Sequence, residues 1–393
     1  MWKWIVGVIA VIFVGLSVFW FNIDKNVRYL LLNQPENQNV LQWTTAQRDA
    51  GFQAIEKLGI LPYRTVKSGQ SGPSLEKGPL LNVDKDVVDT FFDEQRLASV
   101  VVLQHGKLRY ERYGLGFSHQ GKWTTFSVAK SFTSTLVGAA LKDGYIKSLN
   151  DKVTDYITDM KGSAYDDVTI EQLLTMTSGV KWDEDYSDPN SDVSKFNFHV
   201  AEDGIDVTAS YMRTLERAHA PGTQFLYSTG ETNLIGLLVS EATGKTLAEY
   251  LSEKVWQHID AHQDASWLLG PTGHEISGCC IQATTRDFAL FGDFILNGAV
   301  VNGESIVPDG WFEKAVTAQV KFDDKGSGYG YQWWVSANDI YQGKGIFGQA
   351  IYIDPNRSLV IAVNANWESA SHRESAKSRA RMFDYITGLI DKE

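Results

Sequence analysis

The sequence predicts an α+β protein: an antiparallel sheet flanked by terminal helices, a helical insertion, and an N-terminal transmembrane helix. Three observations predict it. No charge interrupts the apolar run from Trp4 to Ile23, long enough to span a bilayer as a helix. Strand-like alternation clusters in two places, around 98–113 and 329–363. Between them the apolar spacing is helical. The expected organisation is therefore an anchor over 1–24, a linker region over 25–80, a sheet domain built from 81–126 and 286–393, and a helical domain over 127–285.

Taken in order, the anchor has Trp2, Trp4 and Trp20 at its ends, where aromatic belts form, and no Ala-x-Ala site for cleavage. A single-pass anchor in the cell membrane is expected; Lys3 and the terminal amine on one side balance Lys25 and Arg28 on the other, so charge leaves the orientation open, and the expectation carried forward is that the large domain lies outside the cytoplasm. A helix is expected around Thr45 to Leu58, then a Gly/Ser/Pro/Lys-rich linker from Lys67 to Pro79. Asp84 to Glu94 reads as a helix, and Ala98 to Leu103 followed by Leu108 to Tyr113 as a hairpin. The insertion carries helices from Ser127, over Ile170 to Thr177, Val207 to Glu216, Glu231 to Thr243 and Leu247 to Ile259. Val180 to Asp206 is long and acidic, of a size that serves as a lid or pocket wall. Helices over Arg286 to Asn297 and Pro308 to Ala318 precede strands at Tyr329 to Val335, Gln349 to Ile353 and Leu359 to Val363, and Ser371 to Ile390 closes the chain as a helix.

With 393 residues, 43% of them hydrophobic, the chain can bury a large core. A net charge of −12 and no basic stripe exclude nucleic acid as a partner. Cys279 and Cys280 are the only cysteines, and sequence neighbours rarely form a relaxed disulfide, so the fold is expected not to depend on one. His258 and His262 sit a helical turn apart without a third ligand, so no metal or other cofactor is expected.

The chemistry centres on Phe126-Ser127-Val128-Ala129-Lys130-Ser131-Phe132. If Ser127 opens the helix, Lys130 at i+3 lies over its hydroxyl, and burial that lowers the lysine's pKa makes it a base for the serine. The ordinary structural role of such a serine is an N-cap. Ser74-Leu75-Glu76-Lys77 and Ser178-Gly179-Val180-Lys181 have the same spacing, but the first lies in the linker and the second runs into a helix-ending glycine. Tyr227, in Pro221 to Gly230, stands at the mouth of the next helix, where a phenol between a hydroxyl and an ammonium can be held as phenolate. A lone tyrosine there is more often a core residue. Gly343-Lys344-Gly345-Ile346-Phe347-Gly348-Gln349 leads into a strand where backbone can approach a ligand, with Gly345, Ile346 and Gln349 as the substrate-facing positions. No Gly-x-Ser-x-Gly elbow is present, which removes the α/β-hydrolase alternative.

Together with Leu173 to Gly179 and Thr284 to Ala289, these stretches resemble the penicillin-recognising serine hydrolases, which include class C β-lactamases, D-alanyl carboxypeptidases and related esterases, and within them the 6-aminohexanoate-dimer hydrolase branch. The resemblance runs from about Val83 to the carboxyl end and implies a β-lactamase/transpeptidase-like fold. It further implies Ser127 as acylated nucleophile, Lys130 as its proton partner, Tyr227 as general base, amides of Ser127 and near Ile346 as oxyanion hole, and Tyr186 as a loop tyrosine closing over bound amide. The implied substrate is a small ester or amide. Two departures stand out: Tyr227-Ser228-Thr229 replaces Tyr-x-Asn, and Gly343-Lys344-Gly345 replaces Lys-Thr-Gly, putting Lys344 one place along and on the opposite strand face. This disfavours penicillin recognition. The alternatives are a cell-wall D-alanyl carboxypeptidase or β-lactamase and a non-catalytic scaffold of the same fold.

Overall fold

The N-terminal helix α1 (Trp2–Asn22) carries no buried side chain among those described over Trp4–Asn22, a stretch of 19 residues long and apolar enough to cross a membrane. At 1.5 Å per residue it reaches about 28 Å, close to the thickness of a bilayer's hydrocarbon core. The structure, a computed structural model, describes residues 2–37, 39–59, 61–69 and 75–393. It divides into two units, Met1–Leu61 and Pro62–Glu393. In the first, α1 is followed by α2 (Lys25–Leu32), whose N-terminus is capped by the Asp24 carboxylate accepting from Asn26 N at 2.9 Å. Then comes α3 (Thr45–Ala54), started by a capping box between Thr44 and Gln47. Lys57 closes the unit on Asp24 at 2.6 Å.

The region expected as a linker, 25–80, is thus largely structured. Beyond α2 and α3, β1 (Tyr63–Val66) pairs antiparallel with a strand some two hundred residues on, burying Val66 completely. Composition understated this because a short edge strand draws its order from its partner. Residues 70–74 of the expected Lys67 to Pro79 linker, with the Ser74 match, lie outside the described residues.

The second unit continues with α4 (Lys85–Gln95), β2 (Leu97–Gln104), β3 (Lys107–Tyr113) and β4 (Trp123–Thr124). The insertion follows: α5 (Ala129–Lys142), α6 (Val153–Tyr156), α7 (Ile170–Leu174), α8 (Asp192–Phe196), α9 (Val207–Met212), α10 (Thr229–Thr243) and α11 (Leu247–Leu251). After it come β5 (Ala265–Leu268), β6 (Ile281–Ala283), α12 (Thr285–Leu296), β7 (Val300–Val301), β8 (Glu304–Ser305), α13 (Trp311–Ala315), β9 (Val320–Lys321), β10 (Gly328–Tyr329), β11 (Trp334–Val335), β12 (Tyr341–Lys344), β13 (Ala350–Asp354), β14 (Leu359–Ala365) and α14 (Arg373–Ile390).

Eight strands form the main antiparallel sheet, in the order β3-β2-β14-β13-β12-β11-β10-β9. Its period-2 alternation feeds two cores. Val100 and Val102 pack with Phe91, Phe92, Met382 and Phe383 under α4 and α14. Val101, Leu103, Ile351 and Val360 face Phe288, Phe291 and Ile295 of α12 and the helical insertion. A second, small sheet, β1-β5-β6-β4, takes its two middle strands from within 127–285, which is therefore not purely helical. The insertion's central helix α5 is buried from Ala129 to Ala140. The polar residues on it are satisfied by carbonyls of neighbouring segments: Ser131 donates to Gln332 O at 3.0 Å, Thr133 to Ser277 O at 2.9 Å and Ser134 to Tyr331 O at 2.7 Å.

Two further expectations are corrected. Tyr329 to Val335 is not one strand but β10 and β11 paired antiparallel across a turn in which Gln332 takes φ 61°. The turn forms because Gln332 is drawn down to donate its amide to Leu173 O and Leu174 O and to accept from Thr232. Cys279 and Cys280 are joined as a vicinal disulfide, with Cys280 at φ 75°. Sequence adjacency did not prevent it because the left-handed turn at Cys280 brings the two side chains together.

Candidate functional site

Ser127 lies in a 3-10 turn, Phe126–Val128, immediately ahead of α5, with Phe126 in the left-handed region at φ 43°. The turn sets the serine at the N-terminal end of a buried helix, and the i+3 spacing then brings Lys130 back over it: Nζ is 3.1 Å from Ser127 Oγ. Lys130 is only 1% exposed. Its remaining contacts are Thr229 Oγ1 at 3.0 Å and Gly278 O at 2.8 Å, from the start of α10 and the loop before β6. Burial lowers the ammonium to about 8, against an opposing pull from the Glu184 carboxylate.

Tyr227 reaches the same point from the segment ahead of α10, its hydroxyl on the Ser127 side and its ring 5.1 Å from Lys130 Nζ. Trp334 stacks on it at 5.6 Å and Tyr329 meets it edge-on. Burial, with the Glu184 charge added, drives this phenol far above the ordinary tyrosine range. Burial first and the Glu184 charge second both work against the phenolate expected for Tyr227 and favour its neutral form.

Gly345 allows the strand leading from β12 to touch the turn that carries Ser127, since a Cβ there would lie 2.6 Å from Thr125 O. Its own N–H is spent on Gln349 O at 2.9 Å. Among the described residues, the backbone N–H groups of Ser127 and Ile346 have no protein acceptor, and they belong to the two segments that Gly345 brings together. Gln349, expected to face substrate, is instead 1% exposed, with its amide donating to Ile346 O and Ala365 O and accepting from Ala365 N. Three backbone bonds turn it inward, and it holds the Ile346 turn in place. Lys344 extends over Trp334, 5.3 Å from the ring centroid, and Gly343 faces Ser131 of α5 in its place. Burial and the neighbouring Arg379 lower Lys344 to about 8.

Tyr186 is brought in by the loop between α7 and α8, and its hydroxyl donates to Glu184 Oε1 at 2.6 Å. Glu184 itself was not singled out in the sequence. Its carboxylate also accepts from Trp182 Nε1, Thr229 Oγ1 and, at 2.9 Å, Thr229 N. The signal that was available is the carboxylate two positions before Tyr186, on the same side of an extended loop. Thr229, seen only as a lost asparagine, sits between Lys130 and that carboxylate. No group of acidic, histidine or cysteine residues with the makings of a metal site occurs among the described residues.

Residues 86–382 match the Beta-lactamase family model, and the chain belongs to that family. It is 28% identical over 341 residues to the 6-aminohexanoate-dimer hydrolase of Paenarthrobacter ureafaciens, covering 81% of this chain and 86% of the relative. Among solved structures, it resembles a Bacillus anthracis protein provisionally assigned as a 6-aminohexanoate-dimer hydrolase, with a TM-score of 0.78 at 22% identity over 91% of this chain and 99% of that one. A penicillin binding protein from Bacillus halodurans shares the fold at a TM-score of 0.61 and 18% identity, over 76% of this chain and 99% of that one. The β-lactamase/transpeptidase-like α+β fold expected from the motifs is the fold observed.

Proposed function

We propose that this protein is a serine hydrolase that cleaves a small ester or amide through an acyl-enzyme on Ser127. The observation that carries the proposal is a buried lysine 3.1 Å from a serine hydroxyl, in a site where the Ser127 and Ile346 N–H groups are left without protein partners. Lys130, lowered to about 8 and 3.1 Å from the serine hydroxyl, has both the balance and the reach a base needs near neutral pH. In its neutral form it takes the Ser127 proton as Oγ bonds to the substrate carbonyl carbon, and the two N–H groups receive the oxyanion. Tyr227, a neutral phenol on the Ser127 side, hands a proton to the leaving oxygen or nitrogen and recovers one from the relay. Water then enters by the reverse path, bonds to the acyl carbon and releases Ser127 with its proton.

A short linear amide is the favoured substrate class, on the likeness to relatives named for the 6-aminohexanoate dimer, with Tyr186 as the loop residue assigned to close over it, its hydroxyl held on Glu184. Lys344 lies over Trp334 rather than in the Gly343 position beside α5, which supports weak recognition of penicillins. The apolar α1 serves as a membrane anchor that leaves the second unit outside the cytoplasm. Labelling with a fluorophosphonate, wild type beside Ser127→Ala, tests the reading: label and p-nitrophenyl ester turnover are expected in the wild type and lost in the variant. Equal labelling of the two would overturn it.

A further inference from the structure

Lys130 has three directions to spend: Ser127 Oγ at 3.1 Å, Thr229 Oγ1 at 3.0 Å and Gly278 O at 2.8 Å. As an ammonium it donates in all three. As the neutral base that the proposed reaction needs, it has two N–H groups and one lone pair, and only one assignment is productive: N–H to Thr229, N–H to Gly278, lone pair to Ser127. Gly278 O can only accept. Thr229 Oγ1 is ambiguous, because a hydroxyl can donate to a neutral amine as readily as accept from it. If it donated, the lone pair would turn away from the serine.

Glu184 removes the ambiguity. Its Oε1 accepts the Thr229 hydroxyl proton, so Oγ1 is left with lone pairs only toward Lys130. The carboxylate is itself immobilised by Thr229 N at 2.9 Å, at the positive end of α10, by Trp182 Nε1 and by Tyr186 at 2.6 Å. We propose that Glu184 is a positioning residue that orients the Thr229 hydroxyl and so points the Lys130 lone pair at Ser127, coupling the 181–191 loop to the nucleophile. This rests on the hydrolase reading above.

The titratable and charged groups around this relay are few. The loop contributes Glu184 and Tyr186, the segment before α10 Tyr227, β10 Tyr329 and β12 Lys344, the last separated from Tyr227 by Trp334. Glu231 of α10 faces the other way, onto Ser178 and Tyr165. Among the described residues, Glu184 is the one that places a negative charge on Lys130.

The test is the pH dependence of kcat/KM for one p-nitrophenyl ester with full-length wild type, Glu184→Gln, Glu184→Asp, Thr229→Ser and Thr229→Val. In E184Q the ammonium loses its stabilising charge, so the acid limb is expected to move to lower pH by about half a unit or more. The plateau is expected to fall about tenfold or more, because an amide no longer forces the hydroxyl's direction. E184D and T229S are expected to retain much of the plateau, and T229V to lose it. A plateau loss in E184Q with an unmoved acid limb would reduce Glu184 to a structural prop and overturn the proposal, as would unchanged kinetics. If E184Q is recovered unfolded, T229S matching T229V decides against it and T229S exceeding T229V supports it. Failure of wild-type labelling at Ser127 would instead overturn the hydrolase reading, a separate result.

Discussion

At Ser127 the chain enters a long buried helix, so the residue three places on is carried round one turn and held over the serine with 1% of its surface exposed. At Ser178 the same Ser-x-x-Lys spacing meets Gly179 at φ 74°, where a Cβ would stand 2.1 Å from His219 O, and the chain turns away. Lys181 ends in solvent, and Ser178, although 3% exposed, donates its hydroxyl to the Glu231 carboxylate and accepts from Val180 N at 3.0 Å. Both serines are buried. What separates them is where the lysine goes: in one place burial lowers its ammonium to about 8, in the other it stays hydrated. A motif of this kind has chemical meaning only when a continuing helix and a dry environment come with it.

The comparison breaks most sharply by substitution at both sites. Ser127→Ala and Lys130→Ala are expected to lower ester hydrolysis by roughly a thousandfold or more and to abolish fluorophosphonate labelling, while Ser178→Ala and Lys181→Ala change turnover only a few-fold. A comparable loss in K181A would dissolve the distinction. Tyr227→Phe is expected to keep partial labelling with poor turnover. Because Lys130 and Tyr227 share one relay, K130A/Y227F should cost little more than K130A alone. Stopped-flow acylation of the three variants checks this, and fully multiplicative losses would mean that the residues act independently.

A smaller effect is read from pH. Lys130 accepts a proton only when neutral, so kcat/KM should rise with pH and level off above about 8, the value set by its burial. A profile flat from pH 6 to 9 would show that another group is the base (the range brackets the Lys130 value, about 8). The smallest effect lies at the other serine. Burial raises Glu231 from the usual 4.5 to about 8, with the Ser178 and Tyr165 hydrogen bonds opposing. An acid raised on folding costs nothing below its unfolded value and progressively more as pH climbs to the folded one. Glu231→Gln should therefore match wild-type Tm near pH 4.5, gain on it up to about pH 8 and hold that gain above. Thermal melts across that range check it; a gain that shrinks as pH rises would reverse the sign assigned here.

Much of the site and fold could be read from residues alone. Ser127 and Lys130 are linked by three positions of helix, and the alternation in Val100, Val101, Val102 and Leu103 assigns faces before any partner is known. Gly345 was expected to let backbone approach a ligand; the space its missing Cβ leaves is filled by Thr125 O of the protein itself. These are consequences of chirality, period and side-chain size acting over a few bonds. Glu184 was not legible in the same way, because its role depends on Thr229, 45 residues on, and on Lys130, whose other partners lie 99 and 148 residues away. Nor were the Gln332 turn, the inward Gln349, the neutral Tyr227 or the Cys279–Cys280 bond, each decided by distant carbonyls, a neighbouring charge or a backbone turn. By itself the sequence picked out Ser127, Lys130 and Tyr227 as the candidate residues and the local elements that present them. The tertiary structure alone decided their protonation and hydrogen-bond direction, because those depend on desolvation and on charges that only folding brings within a few ångströms.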